Sequence, residues 1–302
     1  LDELATMAGL LDAMDLGADQ VVFDPTVVRG LAYYTGPVFE AELTFETLDE
    51  AFSKLSTGGL EFDVIFSTPD QLSRLVGRPL VQPLNLDSIS SAALQARALL
   101  DSGKATERDF AEVAVRNRKQ AKANPNAQVK GDFNVDSILA EPYIASPLRK
   151  SFCPPLSDTC CALVLAAGDK ARQLAKRPAW IRGIDHRVEA YSLGVRDLTT
   201  SPSTKLAGEK VGVGKKKVDI AELHAPFAHQ EIILREALGL DASVVVNPSG
   251  GALAANAIMA AGLLRFIESA SRIHSGEANR AVVHATSGAC LQQNMVAVLE
   301  GE

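Results

Sequence analysis

Two places where an apolar strand runs through a tight turn towards a helix constrain this chain more than any other feature. Residues 218–223 read as a buried strand that ends at His224-Ala225-Pro226, with a helical pattern over 226–238. Residues 243–246 read the same way and lead into Asn247-Pro248-Ser249-Gly250-Gly251, after which the spacing predicts a long helix over 252–273. Residues 280–286 and 294–299 read as two closing strands. Strand feeding helix, repeated and then closed by strands, predicts an α/β protein: a mixed sheet with covering helices.

Upstream the pattern is less regular. Residues 92–100 and 107–121 read as helices with charged outer faces, and 132–139 as a connector. Pro142, Pro147, Pro154 and Pro155 mark a loop region. Residues 161–166 read as a buried strand with a helix at 169–174 behind it. A second strand is expected at 179–186, and 207–211 reads as the tail of another helix.

The 302 residues carry a net charge of −7, which argues against a nucleic-acid or anionic-membrane surface. Lys215, Lys216 and Lys217, the one compact basic run, read as a solvated loop. Cys153, Cys160, Cys161 and Cys290 form no CxxC pair and have no histidine at ligand spacing, so no metal site is expected. Adjacent Cys160 and Cys161 in an apolar run read as buried free thiols. The longest apolar run, 252–264, falls short of the roughly 20 residues a membrane span needs. With no charged-then-apolar leader at its start, the expectation is a cytoplasmic protein.

His224 and the Gly pair each carry two readings. A histidine just ahead of Pro226, near a helix N-terminus, is kept neutral by the macrodipole. Such a ring is either a capped core histidine or a donor to a developing enolate oxygen. Gly250 and Gly251 allow either tight packing or close backbone approach to a ligand. Cys290 lies in the turn between the last two strands, as an acid/base, a nucleophile or a packed thiol. Tyr143 and Tyr191 are open as bases, His284 is a lesser candidate, and His186 and His229 read as structural or surface residues.

Read as text, the chain looks composite, with changes near Phe45 and Asp87 that no Pro/Gly/Ser linker accompanies. The stretch RGLAYYTGPVFEAEL within 1–45 resembles class II histidyl-tRNA synthetase, which implies roles for Arg29, Tyr33 and Tyr34 around an aminoacyl-adenylate. The Gly-rich ATP-site stretches of that family are absent, and a hairpin with buried tyrosines is the plainer reading. Residues 46–87, with FDVIFSTPDQLSRLVGRPLVQPLNLD, resemble a strand–helix piece of a polyamine-type solute-binding protein.

From 88 to 302, ELHAPF, NPSGGALAANAIMAAG and HATSGACLQQN resemble, in order, the thiolase superfamily and its sterol-carrier-protein branch. The resemblance implies a thiolase-like layered fold whose N-terminal half is incomplete and replaced, with 88–200 the remainder of that half and 201–302 the C-terminal half. It implies acyltransfer or aldol cleavage on acyl-CoA thioesters of lipid or sterol type. Coenzyme A is then substrate or product, and no cofactor is permanently bound. It also implies a homodimer and a partner of OB-fold and zinc-ribbon type. His224 falls on the histidine of the branch's HDCF string, an oxyanion-hole donor. The second family histidine falls at Asn256, and Cys290 near the C-terminal cysteine, so these three form the expected catalytic set. Asn247, Ser249, Gly250 and Gly251 form the expected substrate-binding turn. Two departures matter. An amide at 256 donates a hydrogen bond but shuttles no proton. The family's N-terminal nucleophilic cysteine has no counterpart before Cys153. An inactive binding or assembly subunit is therefore the alternative, and a synthetase-like module is the weakest reading.

Overall fold

The computed structural model describes residues 86–159 and 161–301, which fall within one compact unit, Leu84–Glu302. The readings of residues 1–85, Arg29, Tyr33 and Tyr34 among them, lie outside the described residues. In chain order come α1 (Leu86–Asp101), α2 (Glu107–Gln120), α3 (Val135–Leu139), and the short pair β1 (Tyr143–Ala145) and β2 (Leu148–Arg149). Then follow α4 (Gly168–Leu174), β3 (Trp180–Val188), α5 (Pro202–Val211), β4 (Ile220–Leu223), α6 (Ala228–Ala237) and β5 (Val245–Val246). α7 (Ala261–Ser275), β6 (Arg280–Ser287) and β7 (Gln293–Glu300) complete the chain.

The principal sheet has the order β3-β7-β6-β4-β5. β4 runs parallel to β5 and to β6, whereas β7 is antiparallel to β6 and to β3. The mixed sheet with covering helices expected from the alternation is present. β4 is buried at all four positions, as a strand flanked on both edges and covered by helices must be. α7 packs on β6 and β4, and α5 on β3 and β7. Leu223, Ile233, Leu234, Leu253 and Leu291 share one core with Phe110 and Phe152. Ile273, Val283, Ala297 and Leu299 form a second core. Locally, α2 starts at a capping box in which Thr106 and Asp109 satisfy each other's backbone N–H, and it ends with Arg118 and Lys119 against the helix dipole.

Four expectations need correction. The helix expected over 252–273 begins only at Ala261, because residues 251–260 form irregular turns after two glycines with positive φ. α6 begins at Ala228, so Pro226 precedes the helix and His224 stands four residues before its start. The connector at 132–139 contains a short helix, with Asn134 capping the amides of Asp136 and Ser137. Residues 161–166 are not a buried strand: they join no ladder among the described residues, Cys161 is half-buried, and Val164 and Leu165 are 70% and 71% exposed. Apolar composition specifies that a segment wants covering, not that a neighbour is present to cover it.

The Gly250-Gly251 turn is tight because both residues are packed. A Cβ on Gly250, at φ +95°, would sit 2.5 Å from Ala121 Cβ and 2.7 Å from Ala254 Cβ. On Gly251, at φ +61°, it would meet Asn247 Cγ at 2.8 Å. Gly250→Ala combines overpacking with a disfavoured φ and is expected to lower unfolding free energy by about 2–4 kcal/mol in urea titration. A loss below about 0.5 kcal/mol would mean that the turn is not held in this packing.

Candidate active site

His224 sits directly after β4 and is 5% exposed. Its backbone N–H donates to the His284 carbonyl of β6 at 3.2 Å, which continues the parallel pairing past the strand end. The Thr286 backbone N–H donates to Nδ1 at 3.4 Å. Nδ1 is therefore the acceptor nitrogen, and Nε2 carries the proton, which it donates to Asn256 Oδ1 at 3.2 Å. Burial, and next the positive charge of Arg265, push the imidazole down to about 4, against smaller opposing effects from Asn256 and Thr286. The ring is a neutral donor at physiological pH.

Asn256 lies in the turns ahead of α7 and is buried. Its backbone N–H donates to Ser157 Oγ at 3.0 Å, and its carbonyl accepts from the Ser157 N–H at 3.3 Å. The 157–158 loop thereby fixes the amide that faces His224. The structure thus brings His224 and Asn256 together directly, although they lie on different loops.

Cys290 is placed at the same strand-end region but bonds elsewhere. It is buried, and its Sγ donates to the Ser91 carbonyl of α1 at 3.1 Å. Gln95 Nε2 donates to its carbonyl at 3.4 Å. Cys290 and Leu291 hold φ values of 53° and 59°, a left-handed conformation that costs about 1–3 kcal/mol for non-glycine residues. Burial pushes the thiol up from its ordinary value, and it makes no hydrogen bond to His224 or Asn256. Cys153, pushed up to about 12 chiefly by burial, is likewise no thiolate.

The expected substrate-binding turn is spent on internal bonds. Asn247 accepts the Leu223 N–H on Oδ1 at 2.7 Å and donates from Nδ2 to Glu231 Oε2 at 2.8 Å. Ser249 donates to Glu222 through both its backbone N–H, at 2.9 Å, and its hydroxyl, at 2.7 Å. The two glycines have no room for a Cβ and are buried. Among the other candidates, His284 is fully buried against Asn294 Oδ1 at 3.0 Å, and His229 against Gln95 Oε1 at 3.2 Å. Burial pushes each of these two rings down to about 3. His186 and Tyr191 are exposed. Tyr143 donates its phenol to Glu107 Oε1 at 2.7 Å, away from His224.

Sequence reasoning missed the charges beneath this site. Glu222, inside β4, is fully buried and receives Arg265 Nη1 at 2.8 Å. Arg265 also donates to Ser249 Oγ at 3.0 Å. Glu231 of α6 gathers Asn247, Asn117 at 2.9 Å, and Arg116. A carboxylate in the middle of an apolar strand, Ile-Ala-Glu-Leu, was the available signal.

No family model matches the chain. The chain is 38% identical over 151 residues to the histidine–tRNA ligase of Cereibacter sphaeroides, covering 49% of this chain and 29% of the ligase. It is 27% identical over 233 residues to the benzoylsuccinyl-CoA thiolase subunit BbsB of Thauera aromatica, covering 67% of this chain and 60% of that subunit. Among solved structures it superposes on the Ltp2-ChsH2(DUF35) aldolase with a TM-score of 0.56 at 21% identity, covering 83% of this chain and 76% of that one. The Bacillus anthracis acetyl-CoA acetyltransferase gives 0.58 at 16% identity, covering 82% and 67%. The fold is thiolase-like. Both kinds of relative are present at once, in keeping with the composite text of the chain. The thiolase-like chain spans less than two-thirds of either curated relative's length. Among the described residues no helix is long and apolar enough to cross a membrane.

Two outcomes test the electrostatics. The histidines at 224, 229 and 284 fall to about 4, 3 and 3 in the folded chain, against about 6.5 when unfolded. Below pH 6.5 the unfolded state therefore binds more protons, so stability should fall as pH drops from about 6.5 towards 4, by several kcal/mol in all. Chemical denaturation at stepped pH checks this; stability unchanged over that window would contradict it. Cys153 and Cys290 should also resist iodoacetamide at pH 8 in the folded protein and react on unfolding, as read by peptide mass spectrometry.

Proposed function

We propose that this thiolase-like chain acts on acyl-CoA thioesters, with His224 as the donor to the thioester oxygen and with carbon–carbon cleavage, not thiol-mediated acyl transfer, as its chemistry. One observation carries the reading: a buried, neutral imidazole whose proton is fixed on Nε2 by the Thr286 N–H and shared only with the amide of Asn256. A thioester oxygen that replaced Asn256 Oδ1 would meet a preorganised donor in a site that excludes water. In aldol cleavage a base removes the substrate's β-hydroxyl proton, the Cα–Cβ bond breaks, and its electrons pass to the thioester enolate. The enolate oxygen is the group His224 would stabilise. Acyl transfer needs a thiolate instead, and burial pushes the thiols of Cys153 and Cys290 up, while each lies within hydrogen-bond reach of a backbone carbonyl. The aldolase among the structural relatives supports this reading, as does the thiolase subunit among the curated ones.

A second reading, an inactive acyl-CoA-binding subunit, is favoured by one specific feature. Position 256 carries an amide where catalysis needs a proton shuttle.

Calorimetric titration with acyl-CoA and with free coenzyme A, beside a chain-cleavage assay on a β-hydroxyacyl-CoA, separates these readings. Cleavage reduced about 100-fold or more in His224→Ala, with coenzyme A affinity retained, is expected for the first reading. Binding without cleavage identifies the second. Absence of binding by any thioester would remove both.

A further inference from the structure

We propose that Gln128 and Ser157, which belong to none of the motifs singled out in the sequence, are positioning residues that hold the Asn256 amide on His224. As a role in catalysis this rests on the reading of His224 as donor given above. Asn256 stands in irregular backbone, between the Gly250-Gly251 turn and the start of α7 at Ala261. Neither a helix nor a strand ladder fixes it, so its aim on Nε2 comes from bonds to other segments.

Ser157 supplies two of those bonds. Its Oγ accepts the Asn256 N–H at 3.0 Å, and its own N–H donates to the Asn256 carbonyl at 3.3 Å. A hydroxyl that can rotate is a poor fixed acceptor unless its proton is committed elsewhere. Here it is committed: Ser157 Oγ donates to Gln128 Oε1, which leaves its lone pairs for the Asn256 N–H.

Gln128 is anchored to the same stretch of chain. Its N–H and that of Val129 both donate to the Ala254 carbonyl, at 3.1 and 2.9 Å. Ala127 and Ala254 pack together with Ala121 beside it. Hydrogen bonds therefore run from Ala254 to Gln128, on to Ser157, and back to Asn256, a closed ring around the segment that carries the amide. The bond this ring aims, His224 Nε2 to Asn256 Oδ1, is 3.2 Å long. That is the long end of ordinary N–H···O contacts, so a small displacement of the segment breaks it. Misplacement by about 1 Å at a reacting group can cost about 100-fold in rate.

Long-range proton–nitrogen NMR of the full chain labelled with 15N-histidine tests the ring without any substrate. His224→Gln identifies the His224 signals, and thermal melts verify that each variant folds. The parent should show His224 with its proton on Nε2 and protected from solvent. Ser157→Ala and Gln128→Leu should each speed exchange of that proton at least about tenfold, while Ser157→Thr and Gln128→Glu, which keep the hydroxyl and the acceptor oxygen, should leave it protected. Gln128 is exposed, so its variants carry the test if Ser157→Ala does not fold. In the cleavage assay Ser157→Ala should lower kcat about tenfold or more with KM little changed. Exchange in Ser157→Ala and Gln128→Leu equal to the parent, or exchange in the two conservative variants as fast as in those, would overturn the positioning role alone. A parent that cleaves no thioester while exchange follows the expected order would remove the activity and leave the ring as the device that aims Asn256.

Discussion

A carboxylate removed from water must be satisfied on every side, and Glu222 is the point where this chain meets that demand. Its position in β4 is set by strand pairing, so the groups that satisfy it must come to it. Burial alone pushes its carboxyl up; the Arg265 charge and the hydroxyl and amide of Ser249 oppose that effect. Arg265 reaches it from α7 and Ser249 from the turn after β5. One side chain thereby ties a central strand, a loop and a helix into a single arrangement. Removal of one partner would leave an uncompensated buried charge, a loss of about 3–5 kcal/mol in comparable pairs.

A second buried carboxylate does the same from the other side. Glu231 of α6 holds Asn247, whose Oδ1 in turn accepts the amide of Leu223 at the end of β4. His224 follows directly. The imidazole is thus aimed by a strand end that two carboxylates clamp, and its neutral state follows from the same burial and from the Arg265 charge. Electrostatics beneath the site and hydrogen-bond geometry within it are one construction. The Asn247–Gly251 turn serves that construction, with its polar atoms directed inward.

Much of this was legible in the sequence. Residues 280–286 and 294–299 form adjacent antiparallel strands close to their expected bounds, and the strand ahead of His224 is buried as its apolar run implied. His224 and Asn256 were singled out from motif order, and they share a hydrogen bond. Less legible was anything that depends on what a segment packs against. Residues 161–166 have the composition of a buried strand, yet no ladder forms there among the described residues. The alanine-rich run 252–260 has helix propensity, but the turn that grips Glu222 and packs Gly250 on Ala121 delays the helix to Ala261. Tertiary contacts outweigh propensities of a few tenths of a kcal/mol per residue.

The amino-acid order by itself determined the fold class and the junctions, because periodicity and turn residues act locally and need no knowledge of distant neighbours. It also singled out His224 as a candidate, by resemblance and motif order. The tertiary structure decided which nitrogen of that ring carries the proton, that the Cys290 thiol turns to α1, and that Glu222 and Glu231 are the hidden supports. Hydrogen-bond partners and desolvation come from residues tens to hundreds of positions apart, and only the folded chain brings them within about 3 Å of one another.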